Sequence, residues 1–244
     1  MHKARRQAIC DYEGFDYRRF WEGREYEDLA ERIALRRLLP PAGGYLLEIG
    51  AGFGRLADLY RGHERVVLLD RSPSMLRQAW EKWNRDGRHT FVVADLYKLP
   101  FADGLFDTVV TVRVLHHVRS IPSALREIHR VLKPQGLYIL EYANKRHLKA
   151  ILRWLLRRQG WNPFSCEPLE FAELHYDFHP AWMEDRLRES GFAIEEGLAV
   201  SSFRLPILKR LFPPHLLAAV DGLLQRPLAP FRLTPSIFLR VRRG

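Results

Sequence analysis

The sequence is poor in sulfur: of 244 residues only Cys10 and Cys166 are cysteines and three are methionines. Two distant cysteines without metal-ligand spacing argue against a disulfide scaffold or a zinc module and suit a reducing compartment, so a cytoplasmic location is expected. Long hydrophobic runs are missing too; no apolar stretch approaches the ~18–20 residues that a membrane-spanning helix requires. The start, Met1 to Arg6, is charged, but Asp11, Glu13 and Asp16 follow where a secretory leader would have its apolar core, so no signal peptide is expected. Acidic residues are in deficit: 39 lysines and arginines against 29 aspartates and glutamates leave a net charge of +10. That charge fits a nucleic-acid or anionic membrane partner, and equally an arginine-rich solvated surface, and by itself does not choose between them. Neither an internal repeat nor a low-complexity tract is found.

Hydrophobic residues make up 47% of the chain and aromatics 12%, enough in one chain of this length for one substantial core. A helical pattern runs through Leu29, Ile33, Leu35 and Leu38 and stops at Pro40-Pro41. Strand and helix patterns then alternate. Tyr45–Ile49, Val66–Leu69, Phe91–Val93, Phe106–Val112 and Leu137–Tyr142 are short apolar runs that suit strands covered on both faces. Between them Leu56–Tyr60, Pro73–Trp83 with Ser72 as N-cap, and the segment from Ser120 to Leu132 read as helices. This alternation predicts a doubly wound α/β fold with a parallel sheet. Residues 145–178 break the regularity. A helix over Ala181–Glu189, a strand through Phe192–Ile194, an irregular stretch over about 201–235 and a last strand over Ser236–Val241 follow.

The strongest local signal is Leu46-Leu47-Glu48-Ile49-Gly50-Ala51-Gly52-Phe53-Gly54, a strand entering a glycine-rich turn. Glycines there let backbone approach a ligand, and a following helix would offer free N–H groups. A dinucleotide-binding turn would place glycine at its sixth position, where Arg55 stands. Asp70 ends the second strand, 22 residues after Glu48, where a carboxylate can accept ribose hydroxyls or cap the next helix. Asp95 ends the third strand, placed to accept an adenine amino group with Leu96 on the ring, or simply to face solvent. Glu48, Asp70 and Asp95 thus close successive strands beside one glycine turn, at the crevice where open α/β sheets bind ligands.

Tyr45 to Asn144 resembles the class I S-adenosylmethionine-dependent methyltransferases, in particular the group that includes the ubiquinone/menaquinone-biosynthesis methyltransferases. The resemblance rests on five blocks in family order: Leu47–Gly54, Asp70–Leu76, Ala94–Phe101 with Phe106–Val110, Val114–Val118, and Glu127–Gly136. It implies a Rossmann-like, mostly parallel seven-stranded sheet with helices on both faces, the last strand antiparallel, and helical lid insertions after strands 5 and 6. It implies one domain over 1–244: a helical cap over 1–42, a cofactor-binding half over 43–144, and lid or substrate insertions over 145–179 and 201–235. S-adenosyl-L-methionine is the implied cofactor and S-adenosyl-L-homocysteine its product. Glu48, Gly50, Ala51, Gly52 and Gly54 would lie against its methionine part, Asp70 would hold the ribose, and Arg71 and Met75 would lie near the adenosine. Asp95 and Leu96 would read adenine, and Val112 and Arg113 would face the sulfonium side. The aromatic segment Tyr12, Phe15, Tyr17, Phe20 and Trp21 would cover the cofactor.

Methyl transfer from a sulfonium is an in-line displacement, so the protein mainly positions donor and acceptor, and a base is needed only when the nucleophile must lose a proton. His116 and His117 after strand four are the candidate catalytic residues, and Glu141 and Tyr142 after strand five and His175, Asp177 and His179 in the insertion are further candidate bases. The run His175–His179 lacks a further metal ligand, so a substrate lid is expected and no metal site. His147–Arg158 and Phe203–Phe212 mix apolar residues at helical spacing with basic ones, and either pack as lids or rest on an anionic membrane. A small-molecule acceptor is expected, apolar or aromatic. An RNA or protein substrate, or a non-catalytic cofactor-binding role, are the alternatives, and the chain would be a monomer or homodimer.

Overall fold

The computed structural model describes residues 21–244; Cys10 and the expected cover residues Tyr12, Phe15, Tyr17 and Phe20 lie outside the described residues, whereas Trp21 lies within them. Helix α1 (Glu25–Leu38) buries Tyr26, Ala30, Ala34 and Leu38 along one side and matches its dipole with acids in the first turn and Arg36 and Arg37 in the last. It stops where Leu39 turns extended, as a residue before proline is driven to do.

Strands β1 (Gly43–Ile49), β2 (His63–Asp70), β3 (His89–Val93), β4 (Phe106–Thr111) and β5 (Leu132–Ala143) are mutually parallel where they pair. Two more strands of the main sheet, β8 (Phe192–Val200) and β9 (Ser236–Arg243), follow a short antiparallel hairpin of β6 (Leu169–Ala172) and β7 (His175–Asp177). The main sheet runs β3-β2-β1-β4-β5-β9-β8, and β9 is antiparallel to both neighbours. This is the seven-stranded, mostly parallel, Rossmann-like arrangement with an antiparallel last strand.

Successive side chains of a strand point to opposite faces, so each strand feeds two cores. Leu47, Ile49, Val67, Leu69 and Val109 pack on one face with α3 (Ile121–Val131). Leu46, Val66, Leu68 and Val110 pack on the other with α1 and α2 (Pro73–Trp83). The strand order reverses between β1 and β4, which opens a crevice at their carboxyl ends, the usual ligand position in such sheets.

Three elements depart from expectation. Leu56–Tyr60 forms only a short 3-10 turn over Ala57–Tyr60, too brief to carry an α-helical N-terminus. The first insertion is mixed, not purely helical: α4 (Leu148–Leu155) is followed by the β6–β7 hairpin. The stretch 201–235 holds α6 (Pro206–Leu211) and α7 (Pro214–Leu224), the second packed on α1 through Tyr26 Oη donating to Asp221 at 3.1 Å. Helix α5 (Pro180–Glu189) and β8 fall where the sequence placed them.

Candidate active site

Alternation along β1 puts Glu48 on the same face as Leu46, toward α1, at the buried end of the central strand. Its carboxyl is 3% exposed, and Oε2 has no hydrogen-bond partner. Burial disfavours the charged form and pushes the group up to about 8, partly offset by Tyr60 and the Arg55 charge.

The chain leaves β1 through a turn that Gly50 makes possible. Its φ is +74°, and a Cβ there would stand 2.3 Å from Val114 Cγ2 across the crevice. The N–H groups of Gly50 and Ala51 both donate to Leu69 O, at 2.7 and 3.0 Å, and Gly52 N–H donates to Asp70 Oδ2 at 2.8 Å. Three successive amides are therefore spent inside the protein and do not fan toward a phosphate, and no α-helix follows to aim its dipole there. Asp70 Oδ1 accepts Ser72 N–H at 2.9 Å, while Ser72 Oγ, not Asp70, caps α2 by accepting Met75 N–H at 3.3 Å.

A cleft of about 950 Å³, counting its open mouth, lies over this turn. Glu48, Gly50, Ala51 and Gly52 form its floor; Asp70, Arg71 and Met75 one wall; Ala94, Leu96 and Val112 another. Trp21 covers one side, with the Arg55 guanidinium 3.8 Å and that of Arg113 5.0 Å from its ring centroid. Both arginines meet Glu31 of α1: Arg55 Nη2 lies 2.7 Å from Oε2 and Arg113 Nη2 2.6 Å from Oε1. Glu31 is 1% exposed; burial opposes its charge, but the two arginines prevail and hold its carboxyl below the usual range. Arg55 also pairs with Asp28.

Beyond Arg113 the cleft is bounded by Val114, His117 and Val118. His117 Nδ1 lies 3.3 Å from Leu174 O, which can only accept, so the proton sits on Nδ1 and the lone pair on Nε2. The His116 and His117 rings are 3.9 Å apart and His175 meets His117 edge-on at 4.7 Å. Burial lowers both groups, His117 to about 4, and the crowded imidazoles and Arg113 add to the shift, so both rings are neutral at pH 7.

Residues 47–140 match the family described as a methyltransferase domain. The family match covers that segment, well under half of the 244 residues. Among similar proteins, the ubiquinone/menaquinone biosynthesis C-methyltransferase UbiE of Paracoccus denitrificans is 34% identical over 132 residues, covering 51% of this chain and 52% of that protein. The mitochondrial arginine-hydroxylase NDUFAF5 of Danio rerio is also 34% identical, over 134 residues, covering 54% of this chain and 39% of its own. The match thus spans about half or less of these relatives' length. Among solved structures, a chain from a complex that contains the Haloferax volcanii Trm112 methyltransferase activator aligns with TM-score 0.64 at 20% identity, over 94% of this chain and 95% of that one. At that identity the likeness speaks to the fold.

The fold gathers most of the residues singled out in the sequence. Glu48, Gly50, Ala51, Gly52, Asp70, Arg71, Met75, Leu96, Val112, Arg113 and His117 border one cleft. Gly54, Asp95 and His116 do not. Gly54 lies beneath Trp83, whose Nε1 donates to its carbonyl at 3.0 Å. The Asp95 carboxylate turns back to accept Tyr97 N–H at 2.9 Å, and His116 reaches the cleft only through His117. The run 175–179 disperses: His175 meets His117 edge-on, and His179 caps α5 by accepting Ala181 N–H at 3.3 Å. Burial pushes the half-buried Asp177 up to about 6. Glu31 and Arg55 were not legible as site residues, because nothing in the sequence announces an ion pair between α1 and the crevice. Glu141 accepts Arg113 N–H at 2.9 Å and so anchors a residue whose own φ is +59°.

Proposed function

We propose that this chain is an S-adenosylmethionine-dependent methyltransferase acting on a small, apolar or aromatic acceptor. The observation that carries this reading is the buried Glu48 carboxyl bordering the cleft, whose Oε2 has no hydrogen-bond partner. A buried acid with an orphaned oxygen calls for a cationic or hydrogen-bond-donating ligand group, and the α-amino group of the cofactor's methionine part is one. Asp70 stands where ribose hydroxyls could be held, and Met75, Leu96 and Val112 offer apolar walls to adenine. The cofactor would supply an activated methyl on a sulfonium; the protein's work is to align donor and acceptor and keep water out.

On the acceptor side, His117 presents Nε2 from a ring oriented by Leu174 O. An imidazole lowered to about 4 is a weak base, so we assign His117 to orienting the acceptor. It would take a proton only from an acidic acceptor such as a phenol. His116 is assigned the role of supporting that ring. Residues 145–179 and 201–235 would shape the acceptor side as lids.

Calorimetric titration with S-adenosylmethionine and S-adenosylhomocysteine tests the reading. Wild type is expected to bind both, and Asp70→Ala to weaken them at least ~100-fold, since charge-assisted hydrogen bonds are each worth ~1.5–3 kcal/mol. The variant also frees Gly52 N–H, whose partner it removes. Absence of binding to wild type would overturn the proposal.

A second signature comes from Glu48. With its carboxyl raised to about 8, it is mostly protonated at pH 7, and a cationic ligand would favour its ionised form. Binding is therefore expected to release up to about one proton at that pH, read as a dependence of the heat on buffer ionisation enthalpy. Release should fade at higher pH and vanish in Glu48→Gln. For the folded protein alone the sign is the reverse of an ordinary paired acid. Glu48 contributes stability below its unfolded value of 4.5, and this is lost as pH rises through about 8.

A further inference from the structure

The methyltransferase reading leaves unexplained the outer faces of the two insertions. Helix α4 carries Leu148, Leu152 and Leu155 at helical spacing, with Leu156 just beyond, and this stripe points to solvent while Ala150 is buried on the opposite side. Leu155 and Leu156 are 61% and 62% exposed. Helix α7 repeats the arrangement: Leu217, Ala218 and Asp221 face the protein while Leu216, Val220 and Leu223 face out, the last 76% exposed. Between them α6 exposes Ile207 and Leu211, flanked by Leu205 and Phe212. An ordinary lid helix turns its leucine stripe inward; these turn it outward.

The start of α4 is tied to the chain that follows α7: Leu148 N–H donates to Leu233 O at 2.8 Å, and Asn144 Nδ2 to Arg232 O and Thr234 O, each at 2.8 Å. Charge of one sign accompanies these segments. Segments 145–158 and 203–233 contain a single acidic residue, Asp221, and it is buried. Lys149, Arg153, Arg157, Arg158 and Arg210 are exposed beside the leucines. Soluble proteins rarely turn a leucine stripe to solvent, and the cluster of Lys149, Arg153, Arg157 and Arg158 on and just beyond α4 repels a second copy of itself while attracting anions.

We propose that the outer face of α4 docks the protein on an anionic lipid bilayer, its leucines entering the headgroup boundary and its arginines pairing with lipid phosphates and acidic headgroups. The inference stands on that exposed face alone and does not depend on the cofactor reading.

Co-sedimentation of the full chain with vesicles tests it, using phosphatidylcholine alone and an equal mixture with phosphatidylglycerol. Wild type is expected to pellet with the mixed vesicles and stay in solution with the neutral ones, and added salt should weaken the association. Leu152→Ser with Leu155→Ser, and separately Arg153→Glu with Arg157→Glu, should each lower the partition coefficient at least tenfold, with the thermal unfolding midpoint of each variant within a few degrees of wild type. Failure of wild type to pellet with anionic vesicles at low salt would overturn the proposal. So would undiminished pelleting of the leucine variant, or a wild-type dimer in solution that the leucine substitutions dissociate, since a second copy would then be what covers this face.

Discussion

Gly50→Ala is expected to lower stability to urea by ~2–5 kcal/mol, the sum of a left-handed backbone without glycine (~1–2 kcal/mol) and an overpacked contact (~1–3 kcal/mol). Both terms are visible at this position: φ is +74°, and the new Cβ would lie 2.3 Å from Val114 Cγ2. Val114 borders the cleft, so the accommodation must either push it into the binding space or move the turn off β2. Gly52→Ala is the internal control. Its φ is +54°, but nothing lies within 4 Å of the added Cβ, so only the backbone cost of ~1–2 kcal/mol applies. Equal losses in the two variants would show that close packing across the crevice does not matter.

Glu31→Ala should have a comparable effect through charge. The substitution removes the α1 carboxylate that meets the guanidinium of Arg113, with a side chain 14% exposed, and one of the two carboxylates that Arg55 meets among the described residues. Removing one partner from a buried pair typically costs ~3–5 kcal/mol, and because Arg55 keeps Asp28 the lower end of that range is expected. Trp21 should loosen with it, since both guanidinium groups lie against its ring. The pH dependence separates this from a packing defect. The Glu31 carboxyl is held below its ordinary 4.5, so its contribution is full above that value and is lost as pH falls through the lower folded-state value. Urea titrations on the acid side should therefore show wild type and Glu31→Gln converging as pH drops. A gap that stays constant would mean the ion pairs contribute nothing.

Both variants probe features of unequal legibility. The strands were plain in Leu46–Ile49, Val66–Leu69 and Phe106–Val112, because a strand covered on both faces must be apolar throughout, and that is a property of local sequence. Glycines at 50 and 52 and acids at 48 and 70 were legible for a similar reason: a sharp turn and a strand end restrict residue type locally. The short 3-10 turn at Ala57–Tyr60 was not, since an apolar run of that length suits either geometry until the loop before it is tied to Leu69 and Asp70. Nor was the outward turn of the α4 leucines; spacing places them on one face but cannot say which way that face looks.

Composition and pattern alone therefore established a doubly wound sheet, the glycine turn and the neighbouring acids, since periodicity and backbone restriction act over a few residues. Folding was needed to join Glu31 of α1 to Arg55 and Arg113, to pair His117 with Leu174 and His175, and to turn Gly54 and Asp95 away from the cleft. Charge pairing and burial depend on through-space distance between segments far apart in the chain, and no local pattern encodes that distance.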